Sequence, residues 1–437
     1  MASLVLCSVY KHLGFRVFGA FPLMLGVNCH TGSVGQRMEV ALQSLRRRRS
    51  IGAILALVAS SGVVEAQTFS QWSTFCDGVN HTAGIALGDL DGDGDLDIVF
   101  ANGRHFAEAD WVFSNNGRGD FYGRRALVNQ PDRSYGVALG DLDGDGALDI
   151  VVANDTGDRS ALYRNDGKGN FTFLRGLGSG RKSRRAVAMG DLDKDGDLDV
   201  VLVGPEQDHI YINETGGRWT EQALGSGKDW SLSVSLADLD GDGDLDIIVA
   251  NRYQVHSIVY VNDGRGGVAE KREIGTGRED TTSVSVGDVD GDGDLDIVTG
   301  NWQQPHAVHV NDGRGYFRDT HRFGTGKELT WTVSLGDMDL DGDLDIVLGN
   351  VAVSIKGLDL DGDGQPDRYV QENGGEPSRV YLNDRTGRLV PGSLFGAGND
   401  NTRPIALGDV DGDGDLDIVM GNDCQPNNVF FNSFAWT

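Results

Sequence analysis

Asp89-Leu-Asp91-Gly-Asp93-Gly-Asp95-Leu-Asp97 reads as D-x-D-x-D-G-x-L-D, with a carboxylate at every second position. The pattern starts again at Asp141, Asp191, Asp238, Asp288, Asp337 and Asp409, giving seven copies whose starts lie 52, 50, 47, 50, 49 and 72 residues apart. Each copy follows a short apolar run, as in Ile85-Ala-Leu-Gly88, and leads into a β-branched one, as in Ile98-Val-Phe-Ala-Asn102. A period near 50 residues marks a repeat architecture.

The spacing suits one hard cation per copy. Ca2+ takes six to eight oxygens at about 2.3–2.6 Å from carboxylates, backbone carbonyls and water, whereas Mg2+ demands a rigid octahedron. In the first copy Asp89, Asp91 and Asp93 offer side-chain oxygens, Gly94 permits the turn, residue 95 offers its carbonyl and Asp97 closes the shell. Ala147 at the residue-95 position of the second copy fits a backbone role there. The matching donors are Asp141, Asp143, Asp145 and Asp149, then Asp191, Asp193, Asp195 and Asp199, then Asp238, Asp240, Asp242 and Asp246. Asp288, Asp290, Asp292 and Asp296, Asp337, Asp339, Asp341 and Asp345, and Asp409, Asp411, Asp413 and Asp417 complete seven expected Ca2+ sites. Without a cation, each loop would crowd like charges with nothing to offset them.

The formal charge of -28 has this local source, since the seven loops hold 34 of the 66 acidic residues. Seven bound Ca2+ would halve it. An acidic chain lacks the basic footprint of a nucleic-acid binder. Arg46 to Arg49, the apolar run Ile51–Val64 and the small-residue step Val64-Glu65-Ala66 read as a signal peptide over 38–66, cleaved before Gln67. That run has 14 residues, short of the roughly 18–20 a membrane span needs. Met38 would start a signal of ordinary length, so residues 1–37 read either as a misplaced translation start or as an N-terminal extension, and no structure is assigned to them. A secreted protein, extracellular or periplasmic and with no membrane span in the mature chain, is expected.

Each repeat reads as four strands. Strand A leads into the acidic loop, strand B leaves it, strand C ends at a tight-turn signal such as Asn165-Asp-Gly167, and strand D follows as in Phe171-Thr-Phe173. Helical periodicity is absent from the mature chain. Seven such units over 67–437 predict an all-β fold, a seven-bladed β-propeller of four-stranded antiparallel blades and a monomer. The last repeat lacks strand D, while the mature chain opens on a spare strand over 68–75. Pairing of that N-terminal strand with Val429–Asn432 is therefore expected to close the ring, and a Cys76–Cys424 disulfide to clamp it. Repeat six carries an insertion over 351–378 with an eighth acidic loop, Asp359, Asp361, Asp363 and Asp367, a candidate further Ca2+ site.

From Phe69 to the C-terminus the pattern resembles the FG-GAP/VCBS repeat family, the propeller units of integrin α-subunit heads and of many exported bacterial proteins. The resemblance implies cation loops on one rim, with ligands meeting the opposite face. It says little of what is bound, since one fold hosts many functions.

The opposite face is built from the B–C and D–A loops. These carry Arg104, Arg185, Trp230, Arg252, Tyr253, Trp302, Trp331 and Arg403, the candidate ligand-binding residues. Arg pairs carboxylates or sulfates bidentately, and aromatic rings stack on sugars. His209, His256 and His306 each stand two residues after a glutamine, and are expected to serve the turn into strand C. Two functions of different class follow. One is a non-catalytic binding or adhesion module for glycans or cell-surface proteins. The other is an extracellular polysaccharide lyase or other carbohydrate-active enzyme, with a His or Tyr base beside an Arg. The candidates fall on loops all around the ring, which favours the binding module, and no catalytic residue is assigned.

Overall fold

The alternation of acidic turn and β-branched run dictates strands buried on both faces. Asp97–Asn102, Asp149–Asn154, Asp246–Asn251, Asp296–Asn301 and Asp345–Asn350 are each buried at all six positions. Alternate residues of one such strand face opposite neighbours. Ile98 and Phe100 pack on Val410 and Val419 of the last blade, while Val99 packs on Ile150 and Val152 of the second. The computed structural model describes residues 66–127, 131–155, 157–178, 182–214, 217–351, 353–358, 368–373, 376–384, 387–396 and 398–435. The expected signal peptide apart from Ala66, the residues before it and the acidic loop at 359–367 lie outside the described residues.

Gln67–Ser433 forms one unit, the seven-bladed β-propeller. Five blades are separate four-stranded antiparallel sheets, such as Ser134–Gly140, Asp149–Asn154, Ser160–Asn165 and Phe171–Leu177. The first and seventh merge because Ala66–Gly88 both pairs with Asp417–Ala435 and supplies strand A of the first blade. The ring is thus closed by pairing of the N- and C-terminal strands. In the sixth blade the insertion is a hairpin, Val353–Leu358 against Arg368–Asn373, and not an eighth blade.

The expected Cys76–Cys424 disulfide is not made. Cys424 carries a free, exposed thiol that points to Asp423 Oδ1 at 3.7 Å. Strand pairing already joins the ends, and side-chain hydrogen bonds run on from blade to blade. Asn165, Asn262 and Asn311, at or one residue past the end of strand C, donate through Nδ2 to the carbonyls of Leu90, Leu192 and Leu239 in the blade before, each at 2.8 Å. Asn115 of the first blade reaches Val410 of the seventh at 2.8 Å, so the asparagine stitch crosses the closure.

Close approach between blades also fixes the glycine before the acidic loop. A Cβ on Gly88 would lie 2.7 Å from Leu148 Cδ1 of the next blade. The leucine of the nine-residue pattern is therefore a knob seated against its neighbour's glycine.

Candidate functional site: acidic loops on one rim, an arginine–tryptophan cluster on the other

The last carboxylate of each acidic loop is a buried bracket. Asp97 accepts the Leu90 amide at 3.0 Å and the Asn115 amide at 2.8 Å. Asp199, Asp296 and Asp417 repeat both bonds with their own loop and strand C. The first carboxylate gathers the turn: Asp89 accepts the Gly92 and Gly94 amides at 2.7 and 3.0 Å, which the positive φ of both glycines allows. The turn is therefore held by hydrogen bonds between its own carboxylates and backbone amides.

This shaping brings carboxylates together. Oxygens of Asp89, Asp91 and Asp97 lie within 4.8 Å of one another, as do those of Asp141, Asp143 and Asp149, of Asp191, Asp193 and Asp199, and of Asp238, Asp240 and Asp242. The cost shows in two ways. Burial first, and the neighbouring carboxylates after it, push Asp97 up to about 6 and Asp199 and Asp417 up to about 7. Buried Oδ1 atoms of Asp91, Asp191, Asp240 and Asp339 have no hydrogen-bond partner. Orphaned carboxylate oxygens gathered in one turn are the donor set a hard divalent cation takes. Basic side chains meet part of the charge. Arg164 pairs with Asp143 at 2.6 Å and Asp145 at 2.9 Å in the second blade, and Lys194 of the third reaches Asp244 of the fourth.

On the opposite rim the candidate residues converge instead of spreading around the ring. Arg403 lies 4.2 Å over the Trp331 ring, with Arg252 at 5.7 Å and Arg104 at 5.9 Å from the same ring. These arginines come from the seventh, fourth and first blades, and only the axis brings them within reach of one ring. Trp302 meets Trp331 at 6.1 Å, Arg252 sits 5.1 Å over Tyr253, and Tyr253 meets Trp230 at 4.9 Å. Arg104 and Arg185 share Tyr135, at 5.7 and 3.7 Å. All eight candidates thus form one connected cluster, with Tyr135 as the link that the sequence reading missed. Loop positions alone carry no ring radius, so the convergence had no sequence signal.

Four guanidinium groups face three carboxylates there. Asp423 pairs with Arg104 and, at 3.3 Å, with Arg403; Asp280 binds Arg252 bidentately at 2.8 and 2.9 Å; Asp155 lies 3.7 Å from Arg185. Burial and then the Arg104 charge lower Arg403 to about 9 and Arg185 to about 10. Arg104 Nε, Arg185 Nη1 and Arg403 Nε are buried donors with no partner. Trp230 and Tyr253 stand exposed beside them. Such a cluster can take an anionic group and flank it with aromatic faces.

A hydrogen-bonded chain borders the cluster. His105 shares one ring nitrogen with Asp155 Oδ2 and the other with the Tyr135 hydroxyl, both at 2.8 Å. The three histidines singled out in the sequence serve other ends. His306 Nδ1 accepts the Asn301 amide at 3.1 Å, the turn bond that Asn427 makes to Asn422 in the seventh blade. His209 binds Arg184 at 2.7 Å, while His256 precedes the turn residue Ser257, so the three are not equivalent.

No helix among the described residues is long and apolar enough to cross a membrane. A search of curated proteins finds no match. Among solved structures, the chain is similar in fold to a streptogramin B lyase (TM-score 0.56, 12% identity, 84% of this chain and 98% of that one). It is also similar to virginiamycin B lyase from Staphylococcus aureus (TM-score 0.55, 10% identity, covering 83% and 99%). The BBS1N chain solved in complex with ARL6DN gives a TM-score of 0.55 at 11% identity, covering 84% and 98%. At these identities the likeness is one of fold. The FG-GAP-like repeat model matches residues 89–152, 141–202, 191–249, 238–299 and 359–420, each window opening on the first aspartate of an acidic loop. With these windows covering more than half of its length, the chain belongs to the FG-GAP-like repeat family.

Proposed function

We propose that this is a secreted, calcium-binding propeller that acts as a non-catalytic binding module, its ligand an anionic glycan or an acidic patch on a cell-surface protein. The acidic loops hold Ca2+ and stiffen one rim, and the axial arginines of the other rim take a carboxylate or sulfate. The observation that carries the reading is the convergence of Arg104, Arg185, Arg252 and Arg403 with three buried, unpartnered guanidinium nitrogens. Exposed Trp230 and Tyr253 add the stacking faces a sugar uses. Removal of the segment before Gln67 on export belongs to the same reading.

A second reading draws on the Asp155–His105–Tyr135 chain beneath Arg185. A base beside a cation is what β-elimination of a uronate needs, so a polysaccharide lyase is the alternative. One experiment separates them: acidic and neutral polysaccharides are incubated with the Ca2+-loaded protein and scored for retention and for new chain ends. Retention of acidic chains without cleavage supports the binding module. New unsaturated ends that vanish in Tyr135→Phe support the lyase, and indifference to every polysaccharide overturns both glycan readings.

A further inference from the structure

The thiol left free by the missing disulfide does not stand alone. Ligand atoms of His81, Asp423 and Cys424 lie within 4.8 Å of one another. His81 lies within Ala66–Gly88, one residue before its pairing with Asp97–Asn102 begins, while Asp423 and Cys424 lie within the closing strand Asp417–Ala435, so the group sits on the seam between the first and seventh blades.

Two of the three are held by partners outside the trio, and the third, Cys424, by Asp423 within it. His81 Nδ1 is hydrogen-bonded to Glu108 Oε1 at 2.5 Å, and the His81 amide donates to Glu108 Oε2 at 2.9 Å. With Nδ1 engaged by the carboxylate, Nε2 is the ring nitrogen left to ligate a metal ion, which it does in its deprotonated form. Arg104 and Arg403 hold Asp423 through Oδ2, leaving Oδ1 turned to the thiol. The turn does not demand a cysteine: Arg104, Tyr253 and Gln303 fill the equivalent left-handed position in other blades.

We infer that His81, Asp423 and Cys424 form a site for one thiophilic divalent cation of the zinc class, separate in place and chemistry from the all-oxygen loops. Zinc takes sulfur at about 2.3 Å and nitrogen or carboxylate oxygen at about 2.0–2.2 Å, tetrahedrally. That geometry sets a sulfur–oxygen edge of about 3.5 Å, close to the 3.7 Å between Cys424 Sγ and Asp423 Oδ1. Glu108 on the histidine and the arginines on the aspartate are the outer partners that orient metal ligands. Asp423, Glu108 and a metal-bound thiolate outweigh the charges of Arg104 and Arg403, so a divalent ion is not repelled. Three protein ligands leave a fourth position open, beside the arginines that await an anion. The cation also bridges the seam in place of the disulfide.

The test is cobalt titration of the full, tag-free chain in millimolar Ca2+, so that the acidic loops are filled. The site predicts one equivalent of Co2+ with a near-ultraviolet thiolate-to-metal band, displaced by Zn2+. The band is retained in Cys76→Ser and lost in Cys424→Ser and in His81→Gln. Glu108→Gln weakens Co2+ binding by about 10–100-fold, the usual effect of losing such a partner. Zn2+ also slows reaction of Cys424 with a thiol reagent, a readout independent of colour. Absence of the band, its persistence in Cys424→Ser, or a disulfide at Cys424 in the purified protein overturns the assignment. None of these outcomes depends on whether a polysaccharide is bound.

Discussion

His306 shows how one residue ties the candidate face to pH. Its Nδ1 accepts the Asn301 amide and its Nε2 meets Thr330 at 3.2 Å, so it works as a neutral ring, and burial holds its pKa below the ordinary value. Below about pH 6.5 the unfolded chain takes the proton more readily than the folded one. The His306 contribution is therefore complete above that pH and is lost as pH falls below it. His306→Asn, which copies Asn427, should shrink the drop in melting temperature between pH 7 and pH 5 in saturating Ca2+. His309, lowered to about 4 by burial, leaves a residual slope in both proteins. An unchanged slope in the variant would remove His306 as a contributor. At the axis, Arg403→Gln should weaken an acidic oligosaccharide at least tenfold, since a charge-assisted bond contributes about 1.5–3 kcal/mol. Trp331→Ala removes the ring that Arg104, Arg252 and Arg403 share, and is expected to weaken it comparably in the same calorimetric titration.

Among elements, the strand-C asparagines carry a role that their sequence context conceals. Asn-Asp-Gly was read as a hairpin turn, and it is one, but the asparagine also donates to the previous blade's loop. The signal was present in Asn115, Asn165, Asn213, Asn262, Asn311, Asn383 and Asn432, one per blade at the same register. Its meaning needed the neighbouring blade in view. Asn311→Ala leaves the Leu239 carbonyl without its 2.8 Å donor. An unmet buried polar group costs about 1–3 kcal/mol, so the urea midpoint should fall accordingly. A change below about 0.5 kcal/mol would reduce the stitch to a bystander. The acidic loop and the strands around it were legible because a carboxylate every second residue, closed by glycine, admits few other structures. The free thiol was not, because pairing two cysteines by repeat register presumes side-chain directions that only coordinates supply.

For the whole molecule, the period near 50 residues fixed the blade count, and the missing last strand D fixed how the ring closes. The arrangement at the axis lay beyond that reach, because residues as distant as Arg104 and Arg403 become neighbours only when the ring has its radius. Occupied acidic loops would stabilise the propeller through binding, at about 2.7 kcal/mol per site when free ion is a hundredfold above Kd. Chelation should then lower the melting temperature by about 5–10 °C for each site emptied, and by tens of degrees for the whole set, since each kcal/mol moves a large domain by about 2–4 °C. An unchanged melt would refute the cation assignment. The most direct test joins both rims: calorimetric titration of an acidic oligosaccharide into the protein with Ca2+, after chelation, and after Ca2+ is restored. The account predicts binding with Ca2+, loss on chelation, recovery on restoration, and none for a neutral oligosaccharide of equal length. Absence of binding to the Ca2+-loaded protein, or equal binding of acidic and neutral chains, would contradict it.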